Sequence, residues 1–454
     1  MVNALAKSPW GTFTIATTIP IALLMGMYLY RIRPGRVGEV SVLGAFLLLA
    51  AVFAGHFVPG SSLEPWFNLS KGGLTLSIAS YGFTASVLPV RMLLCPRDYL
   101  STYMKIGTVL LLAIGVLVMA PSLQMPALTR FVDGGGPVIP GRLFPFMFIT
   151  IACGAISGFH SLISSGTTPK MIMSENDIPL ISYGAMLAEG FVAVMALVAA
   201  TILIPGDYFI MNTKLSSDAI AAMGFPAGRI KELSALVGTD VEGRPGGAVS
   251  LAVGMASILS GIPGMKGLMP YWYNFALMFE ALFILTTVDT GTRVARFLLQ
   301  ELGSRIYKPL ARQRWAPGIV ATSLMVVAAW AYLIHSGSIS TIWPMFGVSN
   351  QLLAAIAFGV GTTVIIKSGK VKYARTTFIP MVFMFATTLS ASWELMRMFT
   401  DKAAKAASAA EALNFRIDVF LVLLMAALAV IVLLDMVHKW YSWLRSYPEA
   451  GKLV

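Results

Sequence analysis

Long apolar stretches limit what this chain can fold into more than any other feature. A bilayer core about 30 Å thick requires roughly 20 apolar residues per helix, and such stretches recur along the whole sequence. Charged residues make up only 12% of the chain, about half the share in soluble proteins. The sequence therefore predicts an all-α polytopic membrane protein with about 11 transmembrane helices, one transmembrane domain over residues 1–454 and lipid as a partner. The predicted spans are 11–30, 39–57, 73–95, 105–120, 143–165, 180–204, 272–291, 316–335, 341–366, 376–396 and 416–436.

The net charge of +12 is distributed as an orientation signal rather than as a nucleic-acid-binding surface. Lysine and arginine cluster in short segments between the apolar stretches, at 31–36, in the loop with Arg91 and Arg97, at 292–315 and at 367–375. Such segments remain in the cytoplasm, so the N-terminus is predicted outside and the C-terminus inside. Residues 205–271 then form an external insertion, within which 246–262 is predicted as a re-entrant or surface helix, and 292–315 is a basic cytoplasmic loop. No nucleic-acid partner is expected.

Cysteine and histidine are too sparse for a disulfide framework or a metal site. The two cysteines lie in or beside apolar stretches, and the four histidines lack the spacing of metal ligands. The sequence accordingly predicts no metal and no cofactor other than a coupling ion.

A polar stripe occupies the end of one predicted span, in the segment ISGFHSLISSGTTPKM (156–171). Its polar residues recur at helical spacing and share one helix face: Ser157, His160, Ser161, Ser164, Ser165 and Thr168. Such a face requires other helices or a hydrated cavity rather than lipid. The hydroxyls either bind ions or substrate or simply join helices by hydrogen bonds. His160 is a candidate proton carrier, because an imidazole exchanges protons near neutral pH.

Carboxylates inside spans are a second signal, because ionisable groups at that depth are costly and usually functional. Glu189 and Glu280 are therefore candidates for proton coupling, with structural hydrogen bonding as the alternative. For Asp289 and Arg293, four residues apart near a span end, a local ion pair is the simpler interpretation.

A third signal is Pro89, which lies inside a predicted span and should break its helix. Tyr81, Gly82 and Ser86 precede this break and are candidates for substrate or ion binding. Free backbone N–H groups at the start of the following half-helix would attract an anion such as a carboxylate. The pair Asn350 and Gln351, in the upper half of another span, is compatible with either a site or packing.

Four segments together resemble the carbon starvation protein A family: CGAISGFHSLISSGTTPKM, LPVRMLLCPRDYLSTYMKIGT, FEALFILTTVDTGTRVARFLLQ and WPMFGVSNQLLAAIAF. The resemblance covers nearly the whole chain. It implies a bacterial inner-membrane carrier of peptides or pyruvate, coupled to a cation, with the inverted-repeat fold of the amino acid–polyamine–cation carriers. Family members carry a further N-terminal segment with several spans, which this sequence lacks.

The sequence and the resemblance together predict a secondary transporter, not an enzyme, that takes up small peptides or pyruvate with H⁺ or Na⁺. Alternating access would operate around a midplane site formed by the break at 80–89 and the stripe at 157–168. One alternative is a non-transporting fragment, or a subunit of a split carrier that works with a separate N-terminal segment. Another is an intramembrane enzyme with a serine activated by His160, for which no orienting acid has a defined position.

Overall fold

The computed structural model describes residues 1–33, 35–89, 94–166, 168–170, 172–312, 315–336 and 339–450. Helices make up 79% of the structure, and no strand occurs in these ranges. The prediction of an all-α polytopic membrane protein is therefore confirmed. The α-helices are α1 Val2–Leu5, α2 Pro9–Met27, α3 Val37–Gly55, α4 Glu64–Phe67, α5 Lys71–Val87, α6 Leu94–Met119, α7 Leu143–Thr150, α8 Ala152–Ala155, α9 Gly158–Gly166, α10 Ala185–Thr201, α11 Pro205–Asn212, α12 Ser217–Ala222, α13 Ile230–Val237, α14 Ala248–Gly261, α15 Met269–Ser304, α16 Ala316–Ser336, α17 Ile339–Lys367, α18 Arg375–Ala404 and α19 Ala409–Ala450.

Short segments of other helical types occur between these helices. Two π-helical turns, Tyr28–Ile32 and Leu180–Gly184, adjoin α2 and α10. The 3₁₀ turns are Arg130–Asp133, Thr168–Lys170, Glu175–Asp177, Lys308–Ala311 and Val371–Tyr373.

The chain forms two compact units that alternate along the sequence. Unit 1 comprises Met1–Ala127 and Phe191–Gly337, and unit 2 comprises Leu128–Gly190 and Ser338–Val454. The core of unit 1 includes Met25 of α2, Leu48 of α3 and Met278 of α15. A core of unit 2 joins α17, α18 and α19.

Eight helical segments in the described part of the chain are long and apolar enough to cross a membrane, and they match eight of the predicted spans. They are Pro9–Met27, Val37–Gly55, Glu175–Thr201, Met269–Ser304, Ala316–His335, Trp343–Lys367, Val371–Ala404 and Glu411–Arg445. The other three predicted spans fall on α5, on the apolar part of α6, Met104–Met119, and on the series α7 to α9. The total count of 11 crossings remains a prediction.

The break predicted near Pro89 is present. Ser70 caps the start of α5 by accepting a hydrogen bond from the Gly73 amide at 3.2 Å. The helix ends at Val87, and Leu88 is extended, with φ −66° and ψ 150°. This is the backbone conformation that a following proline imposes. Helix α6 then begins at Leu94, earlier than the predicted span from residue 105.

The predicted span 143–165 consists of three short helices rather than one, so that α9 alone carries most of the polar stripe. Ser157 precedes α9 and caps it, accepting a hydrogen bond from the His160 amide at 3.3 Å. Thr168 lies beyond the end of α9, in a 3₁₀ turn. The stripe therefore occupies a helix of nine residues and its two ends.

Two predicted non-spanning segments are largely helical. Helix α14 lies within the segment 246–262 and is mostly buried, and its assignment as re-entrant or surface helix stays a prediction. Helix α15 continues to Ser304, through the first half of the segment predicted as a cytoplasmic loop, and neither proline nor glycine cluster interrupts it there.

Candidate functional site

A buried ion pair joins two helices of unit 1. Nη1 of Arg97, in the first turn of α6, lies 3.2 Å from Oδ2 of Asp289 on α15. Both side chains are essentially inaccessible, with 0% and 1% exposure. The Tyr81 hydroxyl of α5 donates to the same Asp289 oxygen at 2.6 Å and accepts a hydrogen bond from Arg97 Nη1. These three residues, called the Arg97 cluster below, connect α5, α6 and α15.

The chemistry of burial explains why these side chains meet. An isolated charge inside a protein or membrane costs several kcal/mol, so each needs a partner on another helix. Sequence analysis paired Asp289 with its local neighbour Arg293 and placed Arg97 in a basic cytoplasmic loop, whereas the structure buries Arg97 in the first turn of α6. The available signal was an arginine eight residues beyond Pro89, in the segment LCPRDY.

Arg293 instead stabilises the end of α5. Its Nη2 donates to the carbonyl oxygen of Leu88 at 2.9 Å and to that of Ala85. The last carbonyls of a helix have no partner within the helix, and a cation there also opposes the helix dipole. Arg293 therefore holds the chain in its broken conformation just before Pro89.

Of the other residues predicted near the break, Gly82 and Ser86 lie at helix contacts within unit 1. A methyl group at Gly82 would lie 3.1 Å from the Trp330 ring and 3.2 Å from Val288. The fully buried Ser86 shares a hydrogen bond of 2.9 Å with Ser323 of α16. Both residues bring α5 close to its neighbours, whereas Tyr81 belongs to the Arg97 cluster.

The hydroxyls of α9, in unit 2, present oxygen acceptors. Each donates its proton to a carbonyl three residues earlier in its own helix: Ser161 to Gly158 at 2.6 Å, Ser164 to Ser161 at 3.0 Å, and Ser165 to Leu162 at 3.2 Å. Ser164 and Ser165 are exposed, Ser161 and Thr168 half-buried. Because the protons are committed to the backbone, the hydroxyls offer lone pairs, which suit a cation.

Asn350 of α17 fixes the start of α9. Its Oδ1 accepts hydrogen bonds from the Phe159 amide at 2.7 Å and from the Ser157 hydroxyl at 3.4 Å. Gly158 permits this approach, since a side chain there would overlap the Asn350 backbone. Gln351 lies in the core of unit 2, where its Oε1 accepts from Thr388 at 3.4 Å. These are the contacts of capping and packing residues.

Two residues predicted for proton coupling lie side by side in unit 2. His160 Nδ1 on α9 is 3.5 Å from Glu189 Oε2 on α10, and their side chains are 55% and 39% exposed. Glu189 lies within the candidate span Glu175–Thr201. An imidazole beside a carboxylate can hold or release one proton while its partner balances the charge. The arrangement is therefore capable of proton exchange within a candidate span.

The third such residue, Glu280, lies in unit 1. It lines a cavity of about 10 Å³ with Leu5, Ala248 and Ala281. Its Oε2 is buried and has no hydrogen-bond partner within the described residues. The cavity has the volume of about one water molecule. Across the described ranges, no group of three or more histidine, cysteine or acidic side chains could hold a metal.

The fold and these sites define a polytopic all-α membrane protein with ionisable groups inside its helical units. The chain belongs to the carbon starvation protein CstA family, whose sequence model matches residues 1–391. The resemblance drawn from the four segments is thereby confirmed.

Named relatives extend the comparison. A protein of Mycobacterium tuberculosis H37Rv named peptide transporter CstA is 50% identical over 420 residues, 87% of this chain and 55% of the relative. The peptide transporter CstA of Bacillus subtilis strain 168 is 42% identical over 442 residues, 97% of this chain and 72% of the relative. The pyruvate/proton symporter BtsT of Escherichia coli K12 is 42% identical over 443 residues, which are 88% of this chain and 61% of the relative.

The chain spans somewhat more than half the length of the first of these relatives. No solved structure matches the chain.

Proposed function

We propose that this chain is part of a cation-coupled secondary transporter that carries small peptides or pyruvate across the bacterial inner membrane. Membership of the family and the printed names of the relatives support this function. Because those names are transporter names, an intramembrane serine enzyme has no support from them. The observation that carries the proposal is the contact between His160 and Glu189 within helices of unit 2.

The coupling ion is proposed to be H⁺, bound by the His160–Glu189 pair. When the pair has bound one proton, the positive imidazolium and the negative carboxylate neutralise each other. After release of that proton the pair carries one negative charge, which is unfavourable in a hydrocarbon environment. Protonation can therefore bias which side of the membrane the pair faces, as alternating access requires. The exposed hydroxyls of Ser164 and Ser165 would serve Na⁺ equally well, so Na⁺ is the alternative.

The orientation is proposed from the basic segments, with the N-terminus outside and the C-terminus in the cytoplasm. The relatives contain residues outside the matched region, and the activity of the chain by itself is therefore part of the test. A separate N-terminal segment, supplied from a full-length relative, is the partner to be added.

The test is uptake of labelled pyruvate and of a labelled dipeptide into vesicles whose outside is more acidic than their inside. Uptake is measured with the chain alone and with the added N-terminal segment. We expect His160→Gln and Glu189→Gln to reduce pH-driven uptake about tenfold or more, the factor that 1.4 kcal/mol represents. Substrate exchange without a gradient should persist, because that process needs no net proton movement. Full pH-driven uptake by Glu189→Gln would exclude the pair as the coupling site, and a dependence on Na⁺ alone would select the alternative ion.

The matched control is Glu232→Gln. Glu232 also forms an ion pair, with Arg229 at 2.7 Å, but it lies outside the candidate spans. The hydrogen bond from Arg229 lowers the pKa of Glu232. Its neutralisation should leave pH-driven uptake unchanged.

A further inference from the structure

The guanidinium of Arg97 has one occupied edge and one free edge. Nη1 donates to Tyr81 and Asp289, as described above. Nε and Nη2, which form the adjacent edge, are buried and have no hydrogen-bond partner in the described part of the chain. A buried donor without a partner is unfavourable, and more so where the group is charged. Such an edge needs a ligand to become satisfied.

The Nε–Nη2 edge has a specific shape. Its two parallel N–H groups match the two oxygens of a carboxylate, in the bidentate arrangement that distinguishes arginine from lysine. The neighbouring Tyr81 and Asp289 hold the other edge, so the guanidinium cannot rotate away. The free edge is thus oriented in advance for a planar anion.

The face of α15 that carries Asp289 is rich in positive charge. Arg293 and Arg296 follow Asp289 on one face of α15 and are also buried, with 8% and 3% exposure. The described side chains of that face carry two guanidinium groups beyond Asp289. Arg97 itself lies in the first turn of α6, a helix of 26 residues, where backbone N–H groups add positive potential.

We propose that the Nε–Nη2 edge of Arg97 binds the carboxylate of the transported substrate. The inference rests on the proposed function and deepens it, because pyruvate and a peptide differ in size but share a terminal carboxylate. Arg97 is fully buried in this structure, so substrate reaches it in another conformation of the carrier, as alternating access provides. The substrate class is then small molecules and short peptides with a free carboxylate, and the corresponding amides are excluded.

The test measures binding of labelled pyruvate and of a labelled dipeptide to the full chain in lipid nanodiscs, supplied where needed with the N-terminal segment. Arg97→Lys keeps a cation beside Asp289 but lacks the two parallel N–H groups of the Nε–Nη2 edge. We expect the dissociation constant of this variant to rise about tenfold to hundredfold, as for loss of one charge-assisted bidentate pair. Pyruvamide and a C-terminally amidated dipeptide should fail to displace the label from the wild-type chain.

The control is Arg244→Lys. Arg244 is a half-buried arginine of unit 1 whose Nη1 donates to the carbonyl oxygen of Ala4 at 2.8 Å. Its substitution makes the same chemical change at an arginine outside the Arg97 cluster and should change the dissociation constant by less than about twofold. If Arg97→Lys fails to fold, the double variant Arg97→Gln with Asp289→Asn removes both charges together and should show the same loss.

Each outcome decides between the claims. Wild-type affinity in Arg97→Lys, or displacement by the amides as effective as by the acids, would overturn the role of Arg97 and leave the transport function intact. A wild-type chain that neither binds nor takes up either substrate, even with the N-terminal segment, would overturn both. The site is supported if Arg97→Lys loses affinity but keeps its thermal stability, and if the amides fail to displace the label from the wild-type chain.

Discussion

At the scale of single residues, polar groups inside the helical units follow the rule that each needs a partner. Arg97, Asp289 and Tyr81 satisfy one another across three helices, and Arg293 satisfies the carbonyls at the end of α5. The hydroxyls of α9 differ, because their only described donations return to their own helix. Side chains that are satisfied locally and remain exposed are free to bind something else.

The double variant Ser164→Ala with Ser165→Ala tests this distinction. We expect thermal stability to be unchanged, because both hydroxyls are exposed and bond only to nearby backbone of the same helix in the described structure. Substrate uptake should fall about tenfold, the effect of losing roughly 1.4 kcal/mol of ion binding. The control is Ser182→Ala. Ser182 is an exposed serine of unit 2 whose hydroxyl donates to the carbonyl oxygen of Ile178, four residues earlier, at 2.7 Å. Normal uptake by the double variant would assign the stripe to packing.

At the scale of secondary structure, close helix contacts depend on small residues. Gly254 of α14 lies against the backbone of Ala199 in α10, within unit 1, and a methyl group would overlap the Ala199 carbonyl oxygen. In membranes, where apolar burial contributes little between helices, such close approach is a main source of association. The helix α14 is therefore bound to α10 by contact of backbone with backbone.

Replacement of Gly254 by alanine should push these two helices apart. Overpacking of this kind costs about 1–3 kcal/mol, and we expect a lower melting temperature in detergent. Gly107→Ala is the matched control, because it is also a helical glycine but has no atom within 4 Å of the added methyl position. Equal melting temperatures for the two variants would contradict the packing argument.

At the scale of the whole molecule, the basic segments predict one orientation of the chain in the membrane. Lys214, in the segment 205–271, is exposed and should face the outside. Lys370, in the segment 367–375, is also exposed and should face the cytoplasm. The two lysines lie in different units, so they report on the topology of each.

Cysteine labelling measures this orientation. With Cys95 and Cys153 replaced by alanine, Lys214→Cys should react with a membrane-impermeant maleimide in intact cells, whereas Lys370→Cys should react only after lysis. The opposite pattern would reverse the proposed topology. Labelling of both positions in intact cells would require an odd number of crossings to be added or removed between them.

Sequence alone determined the class of fold and the position of most long helices. Apolar stretches of bilayer length have few folded solutions, because backbone groups in lipid must be satisfied within the helix. Eight predicted spans therefore correspond to long apolar helices, and Pro89 ends α5 because its ring restricts the preceding residue. The span at 143–165 was predicted less well, since local glycines and the contact with Asn350 divide it into short helices.

Only the tertiary structure decided which polar residues meet. Helical spacing placed His160 on a polar face, and depth within a span singled out Glu189, but neither signal could pair the two residues, because they lie on different helices. The same spacing suggested Arg293 as the partner of Asp289, whereas Arg97 reaches it from a helix far away in the sequence. Periodicity specifies the face on which a side chain lies, while the packing of one helix against another determines what that face contacts.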